Sequence, residues 1–249
     1  MKSSMFKKFI VYKKVKENNV VMSFYLKPIE EGKIIEHKAG QFISVKPIKE
    51  GENEGAIRQY SLSMKPGSDY YRISVKRHDQ DIVSRYMHDI LKEGEEIDIT
   101  IPIGKFFLKE NEKPLILISG GIGITPVMSM LYKAINSARP ITFIQAVPNS
   151  TEQTFRDEIN KIAEENKNVK TVIFYSNPLE NETIGKDYDY KGFISKEWIE
   201  TNLSVDGDFY FCGPVPFMKN VYDSLKGMGI SEENINYENF GPSADLGKL

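Results

Sequence analysis

The segment Leu115-Ile116-Leu117-Ile118-Ser119-Gly120-Gly121-Ile122-Gly123-Ile124-Thr125-Pro126 restricts the fold of this chain more than any other. Its first four residues are apolar and read as a buried strand, after which a serine and three glycines lead into a helical pattern. Glycine allows the chain to turn sharply and lets another group approach the backbone closely. Thr125 is placed to cap the helix, and Pro126 suits its first turn. Free N–H groups at such a helix start form a seat for a phosphate. The pattern departs from G-x-G-x-x-G because proline takes the sixth position, and a plain tight strand–helix turn would use the same residues.

The rhythm of the chain changes around this point. Before it, Phe9 to Lys16, Val20 to Leu26, Gln41 to Val45 and Tyr70 to Lys76 are short runs rich in Val, Ile, Phe and Tyr, set off by turn formers such as Asn18-Asn19, Gly40 and Pro66-Gly67. Within Gln41–Val45 and Tyr71–Val75 apolar and polar residues largely alternate, which predicts strands with one buried face. One helix, carrying Ile82, Val83, Tyr86, Met87, Ile90 and Leu91 on its apolar side, precedes a further strand from Glu96 to Ile101. Short strands with little helix between them predict an antiparallel β-barrel. Beyond it, strands at Leu115 to Ile118, Ile141 to Val147, Val169 to Tyr175 and Asp208 to Cys212 alternate with helices near 126–138, 152–166 and 214–227. That order predicts an α/β parallel-sheet nucleotide-binding domain. The charged stretch from Lys109 to Pro114 marks the boundary, giving domains at 1–110 and 111–249. Pro178 to Gly192 reads as a long connection.

Composition excludes several classes. The one cysteine, Cys212, permits neither an internal disulfide nor a four-thiolate zinc or iron–sulfur site. His37, His78 and His88 lack metal-ligand spacing, so no metal is expected, and His78 and His88 read as surface residues. No apolar run reaches the roughly 20 residues that span a bilayer, and no long apolar stretch follows the basic start, so membrane insertion and secretion are not expected and a cytoplasmic location is. Residues 1–110 carry 20 Lys+Arg against 16 Asp+Glu, and residues 111–249 carry 13 against 19. This is too little positive charge for a nucleic-acid partner. It describes either two solvated surfaces or a mildly basic front half facing anionic phosphates or an acidic partner. No Ser-His-Asp set with a nucleophile elbow and no G-K-[ST] loop is present, which argues against hydrolase and kinase chemistry.

A second cluster, Arg58-Gln59-Tyr60-Ser61-Leu62-Ser63, places a cation, a ring and hydroxyls at the end of a strand. The planar fork of Arg58 suits a diphosphate, Tyr60 can lie against an aromatic ring system, and Ser61 can hydrogen-bond a ring nitrogen. An ordinary strand with Arg and Ser facing water is the alternative. Val83 and Ser84 begin a helix, which is either another phosphate seat or a plain helix start. Cys212, Gly213 and Pro214 follow a strand at the carboxyl end of the second unit, where open α/β sheets collect ligands; Cys212 also fits a small buried residue. The first cluster suits a flavin and the glycine turn suits a dinucleotide, a pairing that points to electron transfer.

Taken in order, these motifs resemble the ferredoxin–NADP reductase superfamily, and most nearly the reductase portion of flavohaemoglobins. The resemblance rests on Arg58–Ser63, Tyr71-Arg72-Ile73-Ser74-Val75-Lys76-Arg77, Val83-Ser84-Arg85-Tyr86-Met87-His88-Asp89, Pro102-Ile103-Gly104-Lys105-Phe106-Phe107-Leu108, the glycine turn, Cys212-Gly213-Pro214 and Tyr237-Glu238-Asn239-Phe240-Gly241-Pro242. It implies an FAD-binding barrel followed by an NAD(P)-binding domain, and hydride transfer from NADH or NADPH to flavin with electrons passed on singly. Arg58, Gln59, Tyr60, Ser61, Val75, Lys76, Val83, Ser84 and Phe240 would bind FAD. Gly120, Gly121, Gly123, Thr125, Pro126, Cys212, Gly213 and Pro214 would bind the dinucleotide, and Ser61, Cys212 and Glu238 would serve catalysis. Asp79-Gln80-Asp81 departs from the glycine that related reductases often carry before the Val-Ser pair, and acidic groups work against a diphosphate.

Only 57 residues precede Arg58, which leaves no room there for a globin, and one cysteine leaves no fused ferredoxin. The expected acceptor is therefore a separate ferredoxin, flavodoxin or haem protein, or a small molecule. The alternatives are a free-flavin, ferric or quinone reductase of the same fold, and a non-catalytic flavoprotein subunit or redox sensor. The ends of the second and third strands of the nucleotide domain offer only Arg156 to a 2′-phosphate, which favours NADH.

Overall fold

The computed structural model describes residues 5–30, 34–48, 50, 51, 53–240 and 246–248. Gly241 and Pro242, part of the last motif, lie outside the described residues. Strands β1 (Lys7–Lys16), β2 (Val21–Pro28), β3 (Phe42–Lys46), β4 (Arg58–Ser61), β5 (Tyr71–Lys76) and β6 (Glu96–Ile99) form one antiparallel sheet in the order β4-β3-β6-β1-β2-β5. The chain beyond β4 joins the two ends of that order: Leu62 bridges Ile73, and the Ser63 N–H donates to the Arg72 carbonyl at 2.9 Å. The sheet therefore curls into the expected barrel, filled by inward residues such as Val11, Phe24, Ile43, Ile73 and Ile97. Helix α1 (Ile82–Asp89) closes the core with Val83 and Met87, four residues apart on one face.

The second sheet is parallel throughout. Strands β7 (Leu115–Gly120), β8 (Ile141–Val147), β9 (Val169–Tyr175), β10 (Tyr190–Lys191), β11 (Asp208–Cys212) and β12 (Ile235–Glu238) lie in the order β10-β9-β8-β7-β11-β12. Residues of β7 alternate between its two covered faces. Leu115 and Leu117 pack with α2 (Ile124–Ala134) and α3 (Arg156–Glu165), while Ile116 and Ile118 pack with α4 (Lys196–Asn202) and α5 (Val215–Gly227).

Several expectations needed correction. The third helix starts at Arg156, not 152, because a 3₁₀ turn at Ser150–Glu152 and a left-handed Phe155 (φ 61°) intervene. Asp208–Cys212 is not the last parallel strand, since β12 pairs beyond it with Cys212 level with Glu238. The connection from Pro178 to Gly192 contains β10 and an Ile184–Tyr188 bridge. His88 is half-buried, its Nε2 2.8 Å from the Val75 carbonyl oxygen, and His37 is buried with Nε2 2.9 Å from Ser129 Oγ.

The largest correction concerns β5. Its alternation predicts one exposed face, yet Tyr71 through Val75 are all buried. The second domain covers the outer face. Arg72 stacks over Phe155 at 4.4 Å, donates to the Ser63 carbonyl and pairs with Glu158 at 2.7 Å. Lys76 pairs with Glu152 at 2.9 Å, Asn18 donates to Thr154 Oγ1 at 2.9 Å, and Ser129 Oγ donates to the Met64 carbonyl at 2.8 Å. Polar side chains read as outward on an isolated strand are thus interdomain contacts. The guanidinium is buried, while Glu158 is 34% exposed and also accepts from Tyr132, so removing Arg72 costs its stacking on Phe155 and leaves the Ser63 carbonyl without that donor. Arg72→Ala should lower the free energy of urea unfolding by about 3 kcal/mol; a loss below about 1 kcal/mol would show the pair behaving as an exposed one.

Candidate functional site

A cleft of about 540 Å³ lies where the exit of β12 faces the edge of the barrel, lined by Phe42, Ile57, Arg58, Gln59, Ser61, Glu238, Asn239 and Phe240. Strand β4 ends the barrel order and pairs through its full length only with β3, so its residues can face this space. Arg58 and Gln59 are exposed, whereas Ser61 is only 3% exposed. Two buried polar atoms of this lining, Ser61 Oγ and Glu238 Oε2, have no hydrogen-bond partner among the described residues; Tyr60 Oη is also unpartnered, but its side chain packs against the barrel core and does not line the cleft. Such orphans are costly unless something else satisfies them, and a polar ring system in the cleft would do so.

Burial sets the electrostatics. It pushes the Glu238 carboxyl up to about 7. It raises the Tyr60 hydroxyl, with the Asp81 carboxylate adding to the effect and Arg58 opposing it. Cys212 is fully buried, and burial, with Glu238 nearby, pushes its thiol well up. Cys212 is a protonated, uncharged group at neutral pH, not a nucleophile.

The second part of the site is built from backbone. Cys212 lies level with Ser119 of β7 on one side and Glu238 of β12 on the other. The glycine turn packs against the chain leaving β11 so closely that a Cβ on Gly123 would sit 2.2 Å from the Cys212 carbonyl oxygen. Gly121 differs: its φ is 53°, and a Cβ there would meet nothing within 4 Å. Gly123 is thus required by a neighbouring strand end, while Gly121 supplies the left-handed turn and leaves space beside it. Gly120 and Gly213 both abut Phe217, and Pro214 caps the start of α5.

Thr125 is not the helix cap. The cap position falls to Gly123, two residues earlier, with helix α2 starting at Ile124 behind a 3₁₀ turn at Gly121–Gly123, and the Thr125 hydroxyl donates to the Ile122 carbonyl at 3.1 Å. Thr125 and Pro126 are both buried. Val75 and Val83 belong to the barrel core, and Lys76 is engaged by Glu152. Ser84 is buried, its hydroxyl held within the 78–81 turn by His78 and Asp81 backbone atoms. Phe240, 45% exposed, stands at the mouth of the cleft. The structure therefore brings together Arg58, Gln59, Ser61, Glu238 and Phe240 in one cleft, and Gly121, Gly123, Cys212 and Gly213 at the carboxyl ends of the interior strands β7 and β11, while Tyr60 packs against the barrel core. Phe42, Ile57 and Asn239 line the cleft without having been singled out; Asn239 is the residue between two that were.

Two measurements test this geometry. Gly123→Ala drives a Cβ into fixed backbone and should cost about 3 kcal/mol of stability, whereas Gly121→Ala meets no atom and should cost about 1 kcal/mol through its φ alone. For Glu238, the folded state favours the protonated acid, so the stabilisation is full below the ordinary glutamate range and fades as pH rises to about 7. Glu238→Gln should accordingly melt higher than the native chain near about pH 8 but not near about pH 5; equal shifts at both would show that the carboxyl titrates normally.

Comparison with known proteins agrees with this two-part architecture. Residues 8–108 match the model for an oxidoreductase FAD-binding domain, and residues 117–223 match that for an oxidoreductase NAD-binding domain. The chain is 43% identical over 250 residues to a flavohemoprotein of Bacillus thuringiensis subsp. konkukian, covering 97% of this chain and 62% of that protein. A flavohemoprotein of Rhodopirellula baltica is 40% identical, with 96% of this chain and 61% of the relative covered. The chain thus spans about three-fifths of the length of the curated relatives it matches. The flavohem-like FAD/NAD-binding domain of nitric oxide dioxygenase from Vibrio cholerae superposes with a TM-score of 0.86 at 34% identity, covering 95% of this chain and 99% of that one. Matched over nearly the whole of that solved domain, the chain belongs to the flavohaemoglobin-type reductases of the ferredoxin–NADP reductase superfamily and is an FAD-dependent NAD(P)H oxidoreductase.

Proposed function

We propose that the chain takes a hydride from NADH at the carboxyl ends of β7 and β11, with FAD seated in the barrel cleft, and delivers single electrons to a separate acceptor such as a ferredoxin, a flavodoxin or a haem protein. Residues 1–110 would be the flavin unit and residues 111–249 the dinucleotide unit. The observation that carries the reading is the pair of unpartnered buried atoms, Ser61 Oγ and Glu238 Oε2, that the two units contribute to one cleft. When bound, FAD supplies the junction between two-electron and one-electron chemistry.

The protein's own residues do the rest. Ser61 offers a hydroxyl to a ring nitrogen. Glu238, with a carboxyl near 7, can hold or release a proton at Oε2 close to working pH. The neutral Cys212 and the Gly213-Pro214 turn offer the nicotinamide a surface free of charge. Gly121 leaves room for the pyrophosphate to approach the backbone. Phe240 restricts water at the mouth of the cleft.

NADH is favoured over NADPH by two engaged groups at the strand ends. Arg156 pairs with Asp187 at 3.0 Å, and the Ser150 N–H beyond β8 donates to the Glu182 carboxylate at 2.9 Å. A 2′-phosphate would meet a neutralised cation and a carboxylate there. Among the described residues, no helix is long and apolar enough to cross a membrane.

The purified protein supplied with FAD should show a flavin absorbance spectrum that NADH bleaches anaerobically, with kcat/KM at least about tenfold above that for NADPH. An acceptor panel of ferredoxin, flavodoxin, haem protein, free flavin and ferricyanide then identifies the outlet. A protein that takes up no flavin would end this reading, and fast reduction of free flavin alone would replace the protein acceptor with a diffusible one.

A further inference from the structure

The cleft keeps unmet polar groups, while beyond its rim at Arg58 the donors are already taken. Ser61, 97% buried by its 3% exposure, lines it with an unpartnered hydroxyl, and Glu238 lines it with an orphaned carboxyl oxygen. Toward α1 the situation reverses. Arg58, on the rim, gives both Nε (2.9 Å) and Nη2 (2.7 Å) to Asp81 Oδ1. The other oxygen of Asp81 accepts the Ser84 N–H at 3.0 Å, at the start of the helix. Ser84 Oγ is held by the 78–81 turn, and Arg77, the next cation along, pairs with Asp79 and Asp89.

A guanidinium fork and a helix N-terminal amide are the donors a phosphate would recruit. Here one carboxylate takes both. Burial acts to raise that carboxyl, but the Ser84 amide and Arg58 outweigh it and hold the group ionised below its ordinary range. A phosphate arriving at this place must move an anion of the same sign and break a helix cap at the same time.

We propose that Asp81 is a resident competitor for the flavin phosphates, so that the chain recognises flavin mainly through its ring and holds FAD loosely enough to exchange. The inference rests on the flavin reading of the cleft and names the residue that sets which part of the flavin is recognised. It favours a flavin that comes and goes as a ligand over one locked in place by its diphosphate.

The test compares the native chain, Asp81→Asn and Asp81→Gly by titrating each with FAD and, separately, with riboflavin, following flavin fluorescence. Asparagine keeps the helix cap but loses the charge that holds Arg58, and glycine empties the seat while remaining tolerated at a helix cap. Asp81→Asn should bind FAD about tenfold more tightly than the native chain, Asp81→Gly at least as tightly, and riboflavin should bind all three equally. Unchanged or weaker FAD binding by both variants overturns the proposal while leaving the flavin reading intact. An equal gain for riboflavin overturns it as well, because the effect would then lie away from the phosphates. Failure of all three proteins to bind either flavin overturns the flavin reading and the proposal with it.

Discussion

The cleft exists only while the two sheets keep a fixed relation, and Arg72 is central to that relation. Its guanidinium leaves the barrel at β5, donates to the Ser63 carbonyl just past β4, stacks on Phe155 and ends on Glu158 of α3. One side chain therefore ties the strand that carries Tyr60 and Ser61 to the domain that carries Cys212 and Glu238. The left-handed Phe155 belongs to the same arrangement, since it delays the start of α3 and brings its ring under the cation. Buried ion pairs are weak contributors to stability when compared with apolar packing, but they fix orientation where they are fully hydrogen-bonded. Here the orientation is what the site needs.

Around that frame, polarity is distributed unevenly. Ser61 Oγ and Glu238 Oε2 stand unpartnered where the β12 exit meets β4, and burial shifts Glu238 and its neighbour Cys212 toward their neutral forms. The α1 end is closed upon itself by Asp81 and by the pairs around Arg77. A site that leaves some groups wanting and satisfies others selects by the difference between them. The chain has that character on the two sides of Arg58, which lines the cleft and pairs with Asp81.

Much of this was legible in the sequence where a local backbone rule is strict. The glycine turn could be placed because a strand running into glycines and then a helix admits few conformations, and its neighbour Cys212-Gly213-Pro214 follows the same logic. What the turn packs against was not legible: Gly123 is glycine because of the Cys212 carbonyl, a residue from a distant strand. Strand β12 was missed because Ile235-Asn236-Tyr237-Glu238 is short and mixed in polarity, and only pairing with β11 makes it a strand. Arg72 was read as facing water because alternation assumes one covered face, and here the second cover is another domain. Thr125 has the chemistry of a cap but lies two residues past the one that fills that place, because an intervening 3₁₀ turn is invisible to side-chain periodicity. Asp81 was noticed as out of place near a diphosphate; its position three residues before Ser84 is also the spacing of a helix cap, which is the role it fills.

The parallel pairing of β12 with β11 has a consequence in time. Ser61 belongs to one of the earlier strands and Glu238 to the last one described, and contacts between positions so far apart in a chain form late in folding. Domains emerging from the ribosome fold in order, N-terminal first. A newly made barrel can therefore stand complete while the wall supplied by Glu238 and Phe240 is still missing. Any flavin it captured at that stage would lie open to solvent, with no neighbouring sheet to present a reductant to it.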